Sequence, residues 1–331
     1  NPIWCLYKIN RGGFIPPLTT HLNNCMNYLI LTPDGVGSTI LQRLLTMALY
    51  LENYTVQNTH ELTNGIELDN GIAVKNFDLR YSQSLGKIAN ILHDSQAQTT
   101  LVSRLAKYHM DNRKDPANDC QDFYKLLNRH FEKIIMCVRE NIFEYAMSWS
   151  IRDQSGVLNV YNKEDRDKVS QVSEVDENYF ILKCQQYVKY IEWVEHNFPN
   201  VERVSYENIV KDSDAVMQKL IGHRGTFTDK IGLPLSTILS NEYDFLKNRT
   251  ESNLSNNESK ALVGYRILSN KMIDNNIIFN IPFKNTTLSE KKNQIKNFDA
   301  CLDKFYTFAK NHNWIDQSKT TYDFWNEEHI C

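Results

Sequence analysis

The segment Pro33-Asp-Gly-Val-Gly-Ser-Thr39 holds two glycines and two adjacent hydroxyls between a short apolar run and a helical pattern. Those residue types suit one task. Glycine lets the backbone approach a ligand closely, the first N–H groups of a helix have no intrahelical acceptor, and the helix dipole adds partial positive charge. Phosphate oxygens are the natural guests of such a turn. Gly35, Val36, Gly37, Ser38, Thr39 and Ile40 would present the backbone donors, and the hydroxyls of Ser38 and Thr39 would reach the same oxygens. The plainer alternative is a strand-to-helix turn capped by Ser38. A nucleotide-kinase loop has a glycine, four residues, then Gly-Lys and a hydroxyl residue; this turn has neither the lysine nor a glycine at that distance.

A second constellation follows about 100 residues later. Arg139 closes the apolar run Lys133-Ile-Ile-Met-Cys-Val138, and Ser148 comes nine residues after it in a helical pattern. An arginine fork holds a phosphate through two charge-assisted bonds, and a serine two to three turns along can close on the same group. The competing reading is an exposed arginine at a strand end and a small residue on a helix face. Tyr206, in Val204-Ser-Tyr-Glu-Asn208, follows another apolar run, and a core tyrosine and a base-stacking one are both open there.

Such residues need elements to place them. Asn27–Thr32, Thr100–Leu105, Lys133–Val138 and Val201–Tyr206 read as strands, the third as a buried one. Ile40–Leu49, Gln121–Phe131, Ile142–Ile151 and Asn178–Phe198 carry helical apolar spacing. Strands alternating with helices predict an α/β fold, a parallel β-sheet flanked by helices. Residues 1–26, with Gly12-Gly13 and Pro16-Pro17, read as an irregular lead-in. Residues 27–331 read as a single α/β domain with a C-terminal helical region, in which Leu288–Trp314 is one amphipathic helix.

Composition bounds the partners. The 331 residues are 41% hydrophobic and 23% charged, a globular balance, and a net charge of -3 attracts neither nucleic acid nor an anionic membrane. Anion binding must therefore be local. The apolar stretch Met26–Leu31, interrupted by Asn27, is too short for a membrane span, and the N-terminus lacks the basic-then-apolar pattern of a signal peptide. A soluble, cytoplasmic protein is the expectation. Seven scattered cysteines with no CxxC pair predict mostly buried thiols and no metal site. No pattern sets an oligomeric state.

Taken in chain order, the glycine turn, the Arg139-to-Ser148 segment and Tyr206-Glu207 resemble the nucleotide motifs of PAPS-dependent sulfotransferases, over about residues 27 to 220. Thr32–Leu41 is similar to the family's 5′-phosphosulfate loop, in which proline is followed by Lys or Arg, Ser, Gly, Ser or Thr, and Thr. Gly37, Ser38 and Thr39 match, Gly35 stands where the family has its cation, and Asp34 reads as an insertion. The resemblance implies PAPS (3′-phosphoadenosine 5′-phosphosulfate) as sulfuryl donor and PAP as product. It places Arg139 and Ser148 on the 3′-phosphate and Tyr206 near the adenine, with Arg249 as the candidate for the late basic loop. Glu140 replaces the second arginine of the branches that share the nine-residue spacing. Arg43 and Lys107 are the candidates to supply the cation missing at Gly35.

Sulfuryl transfer needs an acceptor hydroxyl or amine in line with the sulfur and a base for its proton, without a metal. Ala106-Lys-Tyr-His-Met110 resembles the family's Lys-Thr-His segment, which implies His109 as base and Lys107 on the leaving oxygen. His60 and Glu61 are the alternative, since other branches use a glutamate. The acceptor would be a small molecule, a glycan or a peptide. Two other readings stay open: a sulfotransferase-like nucleotide binder with altered chemistry, and a P-loop kinase of small molecules.

Overall fold

The computed structural model describes residues 26–33, 35–52, 54, 56–59, 65–67, 73–75, 100–106, 116–157, 163–226, 229 and 288–312. Its first elements are β1 (Tyr28–Thr32), α1 (Ser38–Leu51), β2 (Val56–Thr59), β3 (Gly65–Glu67), β4 (Ala73–Lys75) and β5 (Thr100–Ala106). Then come α2 (Pro116–His130), β6 (Lys133–Val138), α3 (Ile142–Ser155), α4 (Lys163–Gln171) and α5 (Glu177–Asn197). The last are β7 (Glu202–Ser205), α6 (Tyr206–Lys211), α7 (Ser213–Ile221), α8 (Leu288–Gln294) and α9 (Phe298–Asn311).

The seven strands form one sheet in the order β4-β3-β2-β5-β1-β6-β7. From β2 to β7 every pairing is parallel, while β3 and β4 add an antiparallel edge. The expected parallel sheet flanked by helices is thus present. Two strands of three residues were not expected, because so short a segment shows no period. β1 is buried at all five positions and β6 at all but its first, as befits central strands covered on both faces.

Strand order turns at β1, with β5 and β2 on one side and β6 and β7 on the other. In open α/β sheets the crevice outside the carboxyl ends of the strands at such a point is where ligands bind. The glycine turn leaves the carboxyl end of β1, Arg139 leaves β6 and Tyr206 leaves β7. Parallel register therefore delivers three distant sequence segments to one edge of the sheet.

The helices that support this edge are well terminated. Asn141 caps α3 by accepting the Glu144 N–H at 2.8 Å, and Gly156, at φ +70°, closes its other end onto the Arg152 and Asp153 carbonyls. Phe143 packs edge-on against Phe180 and Phe298 at centroid separations of 5.2 Å and against Phe305 at 5.5 Å, tying α3, α5 and α9 together.

The single helix expected over Leu288–Trp314 is instead two, α8 and α9, separated by Ile295–Asn297. A tertiary demand breaks it. The Asn297 amide accepts the Val175 N–H at 3.0 Å and donates to the Val175 carbonyl at 2.7 Å, and Lys296 N–H donates to the Ser173 carbonyl at 2.8 Å. The amphipathic period runs through the break, so sequence alone does not reveal it.

Cys137, Cys184 and Cys301 are free thiols and buried, and burial pushes Cys137 and Cys301 up to about 12. Among the described residues no helix is long and apolar enough to cross a membrane, and no cluster of His, Cys, Asp and Glu is arranged to hold a metal.

Candidate functional site

Gly37 accepts the Leu41 N–H at 3.1 Å, which makes it the N-cap of α1. The N–H groups of Ser38, Thr39 and Ile40 consequently lack intrahelical acceptors and stand at the positive end of the dipole. Gly35 and Gly37 have φ of +80° and +83°, the left-handed region that suits glycine. Val36 between them is fully buried and anchors the turn in the core.

Gly37 is constrained a second way. A Cβ at this position would lie 2.4 Å from Cδ2 of Tyr206, so the Tyr206 ring rests directly on the backbone of the turn. The Arg139 guanidinium carbon lies 4.7 Å from the centroid of the same ring, a cation–π contact. The backbone of Arg139 is itself clamped: the Tyr187 hydroxyl accepts its N–H at 2.6 Å and donates to its carbonyl at 2.7 Å. Glu207, next to Tyr206, accepts the Glu140 N–H at 3.1 Å. The three segments picked out in the sequence are thus in mutual contact.

Ser148 is placed elsewhere in the same neighbourhood. It lies four residues after Glu144, on the same face of α3, and both side chains meet Lys291 of α8. Lys291 donates to Ser148 Oγ at 2.8 Å and to Glu144 Oε1 at 3.0 Å, and Arg139 Nη1 lies 3.4 Å from that same oxygen. Burial lowers the Lys291 pKa from the ordinary lysine value, with Glu144 acting against it.

Two further cations stand at the turn. Arg104 Nη1 donates to Ser38 Oγ at 3.3 Å and makes a short contact with Thr39 Oγ1. On the other side, a Cβ at Gly35 would lie 3.4 Å from Arg152 Nη1 and 3.0 Å from Trp149 Nε1. Arg152 thus stands beside the position where the turn itself has no cationic side chain. Arg43 is buried in α1, and Lys107 lies outside the described residues, as do His109, His60, Glu61 and Arg249.

Arg104, Arg152 and Lys291 were not picked out from sequence. Arg104 left a signal, a cation inside an apolar strand run. Arg152 and Lys291 left none, because their placement depends on how α3 and α8 pack. Chemically, the assembly offers helix-start N–H groups without intrahelical acceptors, two hydroxyls, an aromatic face and several cations at the carboxyl edge of the sheet, a setting for a polyanionic aromatic ligand. A surface hollow of about 750 Å³ between α5 and α9 shares no residue with it.

No family model and no curated protein matches the chain. Among solved structures, retinol dehydratase in complex with androsterone and inactive cofactor PAP aligns at 10% identity and a TM-score of 0.35, covering 89% of this chain and 82% of that one. Retinol dehydratase in a complex with retinol and PAP aligns at 12% identity and the same TM-score, covering 90% and 83%. Likeness at that level carries no argument about the site, which stands on its own geometry.

Proposed function

We propose that this chain binds PAPS at the carboxyl edge of its sheet and transfers the sulfuryl group to a hydroxyl or amine of a small-molecule, glycan or peptide acceptor. The observation that carries this reading is the stack of Gly37, Tyr206 and Arg139, in which three segments resembling sulfotransferase motifs touch one another in space. Arg139 Nε adds a test of fit: it is buried with no hydrogen-bond partner among the described residues, as expected of a donor awaiting an anion.

In this reading the N–H groups of Ser38, Thr39 and Ile40, the hydroxyls of Ser38 and Thr39 and the guanidinium of Arg104 hold the 5′ end of the donor. When bound, PAPS supplies the sulfuryl group. Tyr206 offers its ring to the adenine, while Arg139 and Ser148 face the 3′-phosphate. Arg152 supplies the positive charge that the turn lacks at Gly35. His109, with Lys107, is proposed to handle the acceptor and leaving-group protons, with His60 or Glu61 as the alternative base and Arg249 as a further phosphate ligand. A second reading, nucleotide binding without transfer, is favoured by Gly35 itself, which has no side chain to steady a bridging oxygen.

Calorimetric titration with PAP in magnesium-free buffer, with ATP as control, tests the binding step. Micromolar binding of PAP and little of ATP is the expected result; no binding of PAP overturns the reading. With binding in hand, PAPS and a panel of acceptors distinguish transfer from binding alone. Arg152→Met is expected to weaken PAP binding about tenfold, the worth of one charge-assisted contact, without loss of fold. Unchanged affinity in that variant removes Arg152 from the site.

A further inference from the structure

Glu144 Oε1 sits between two cations, 3.0 Å from Lys291 Nζ and 3.4 Å from Arg139 Nη1. The cations are the buried members, their side chains only 5% and 8% exposed, while Glu144 is 21% exposed. Lys291 is fixed from a second direction by Ser148 Oγ at 2.8 Å. Buried ammonium and guanidinium groups need an anion between them, because desolvation is costly for each. Here a carboxylate on the first turn of α3 fills that place, at the positive end of the helix. Being the most exposed of the three, Glu144 is also the one that can rotate toward solvent.

We propose that Lys291 joins Arg139 and Ser148 as a further ligand of a phosphate monoester held there, and that Glu144 is an internal counter-anion which the phosphate displaces. The proposal rests on the nucleotide reading above for which phosphate enters, the 3′-phosphate of PAP or PAPS. Glu144 then sets specificity. With the carboxylate in place, Glu144 Oε1 occupies the side of Lys291 Nζ and Arg139 Nη1 that a phosphate bridging the two cations would take, so such a phosphate must displace it. The preference for a 3′-phosphorylated nucleotide over its plain counterpart is held down by that competition. Lys291 joins the subsite from a helix about 150 residues away in sequence, so closure of the 3′ side depends on docking of α8.

The test uses the full chain, Glu144→Gln and Ser148→Ala, with two readouts. In thermal unfolding, Glu144→Gln is expected to melt lower than the wild type in chloride buffer, and inorganic phosphate to raise it about 2–4 °C more than it raises the wild type. In calorimetry with PAP and adenosine 5′-phosphate, Glu144→Gln raises the preference for PAP about tenfold, and Ser148→Ala, which removes only a hydroxyl, lowers it. Should Glu144→Gln not fold, Ser148→Ala decides: an unchanged preference overturns the subsite. Phosphate rescue without binding of either nucleotide supports the subsite and removes the nucleotide reading. Binding of both nucleotides with the same preference in every variant does the reverse. An unchanged response to phosphate together with an unchanged preference overturns the proposal.

Discussion

Replacing Gly37 with alanine is expected to eliminate measurable PAP binding and to destabilise the fold. Two penalties coincide at this residue. Its φ of +83° costs a residue with a Cβ about 1–2 kcal/mol. The added carbon would also lie 2.4 Å from Tyr206 Cδ2 and 3.0 Å from Cε2, distances at which the ring must move. Tyr206 opens α6 directly after β7, and Arg139 lies over its ring, so displacing the ring disturbs the turn, the aromatic face and the cation together. Differential scanning calorimetry and PAP titration check the two effects. Adding Tyr206→Ala should relieve the clash and return part of the stability, while binding stays lost because the backbone penalty and the missing ring remain. Wild-type affinity in Gly37→Ala would show that the nucleotide does not use this turn. Gly35→Ala is the milder comparison, since its Cβ would meet Trp149 Nε1 at 3.0 Å at an exposed turn.

The second large effect belongs to Arg139. Arg139→Met keeps an unbranched apolar stem and removes the guanidinium with its charge, and it should weaken PAP by about 10–100-fold, the range for charge-assisted bonds to a phosphate. Adenosine 5′-phosphate should lose much less, since in the proposed reading Arg139 faces the 3′-phosphate. A companion variant separates position from charge. Tyr187→Phe deletes the hydroxyl that satisfies both the N–H and the carbonyl of Arg139 in a buried setting. Leaving those groups unpaired costs about 1–3 kcal/mol each and frees the arginine to shift. Tyr187→Phe is therefore expected to lower the melting temperature clearly and to weaken PAP less than Arg139→Met. Equal affinity for PAP in Arg139→Met and wild type would remove this arginine from the ligand.

Much of the architecture was legible because the central elements carry unmistakable periods. Five adjacent buried positions in β1 and five in β6 are what a strand covered on both faces requires. The long helix expected over Asn178–Phe198 is α5 almost to the residue, where Asp176 caps it by accepting the Asn178 and Tyr179 N–H groups at 2.9 and 3.0 Å. Where a run ended, the local chemistry shifted the boundary: Tyr206, read as the last strand residue, is the first of α6, because Ser205 caps that helix by accepting the Asn208 N–H at 3.2 Å. The short antiparallel strands β3 and β4 and the break at Ile295–Asn297 were invisible, the former too short to show alternation and the latter imposed by Val175 and Ser173 from elsewhere in the chain.

The candidate site divides along the same line. By itself the sequence determined the glycine turn, the arginine after β6 and the tyrosine after β7, because each is a local pattern of backbone freedom, charge or aromaticity attached to a strand end. Parallel pairing then makes their convergence a consequence of the strand order. Only the tertiary structure decided which cations accompany them. Arg104 is aimed at Ser38 and Thr39 by its register on β5 beside β1, Arg152 reaches Gly35 from the last turn of α3, and Lys291 is carried to Ser148 and Glu144 by α8. A charge acts through space, not through spacing. Its partners are set by packing of segments far apart in the chain, and no window of sequence contains that distance.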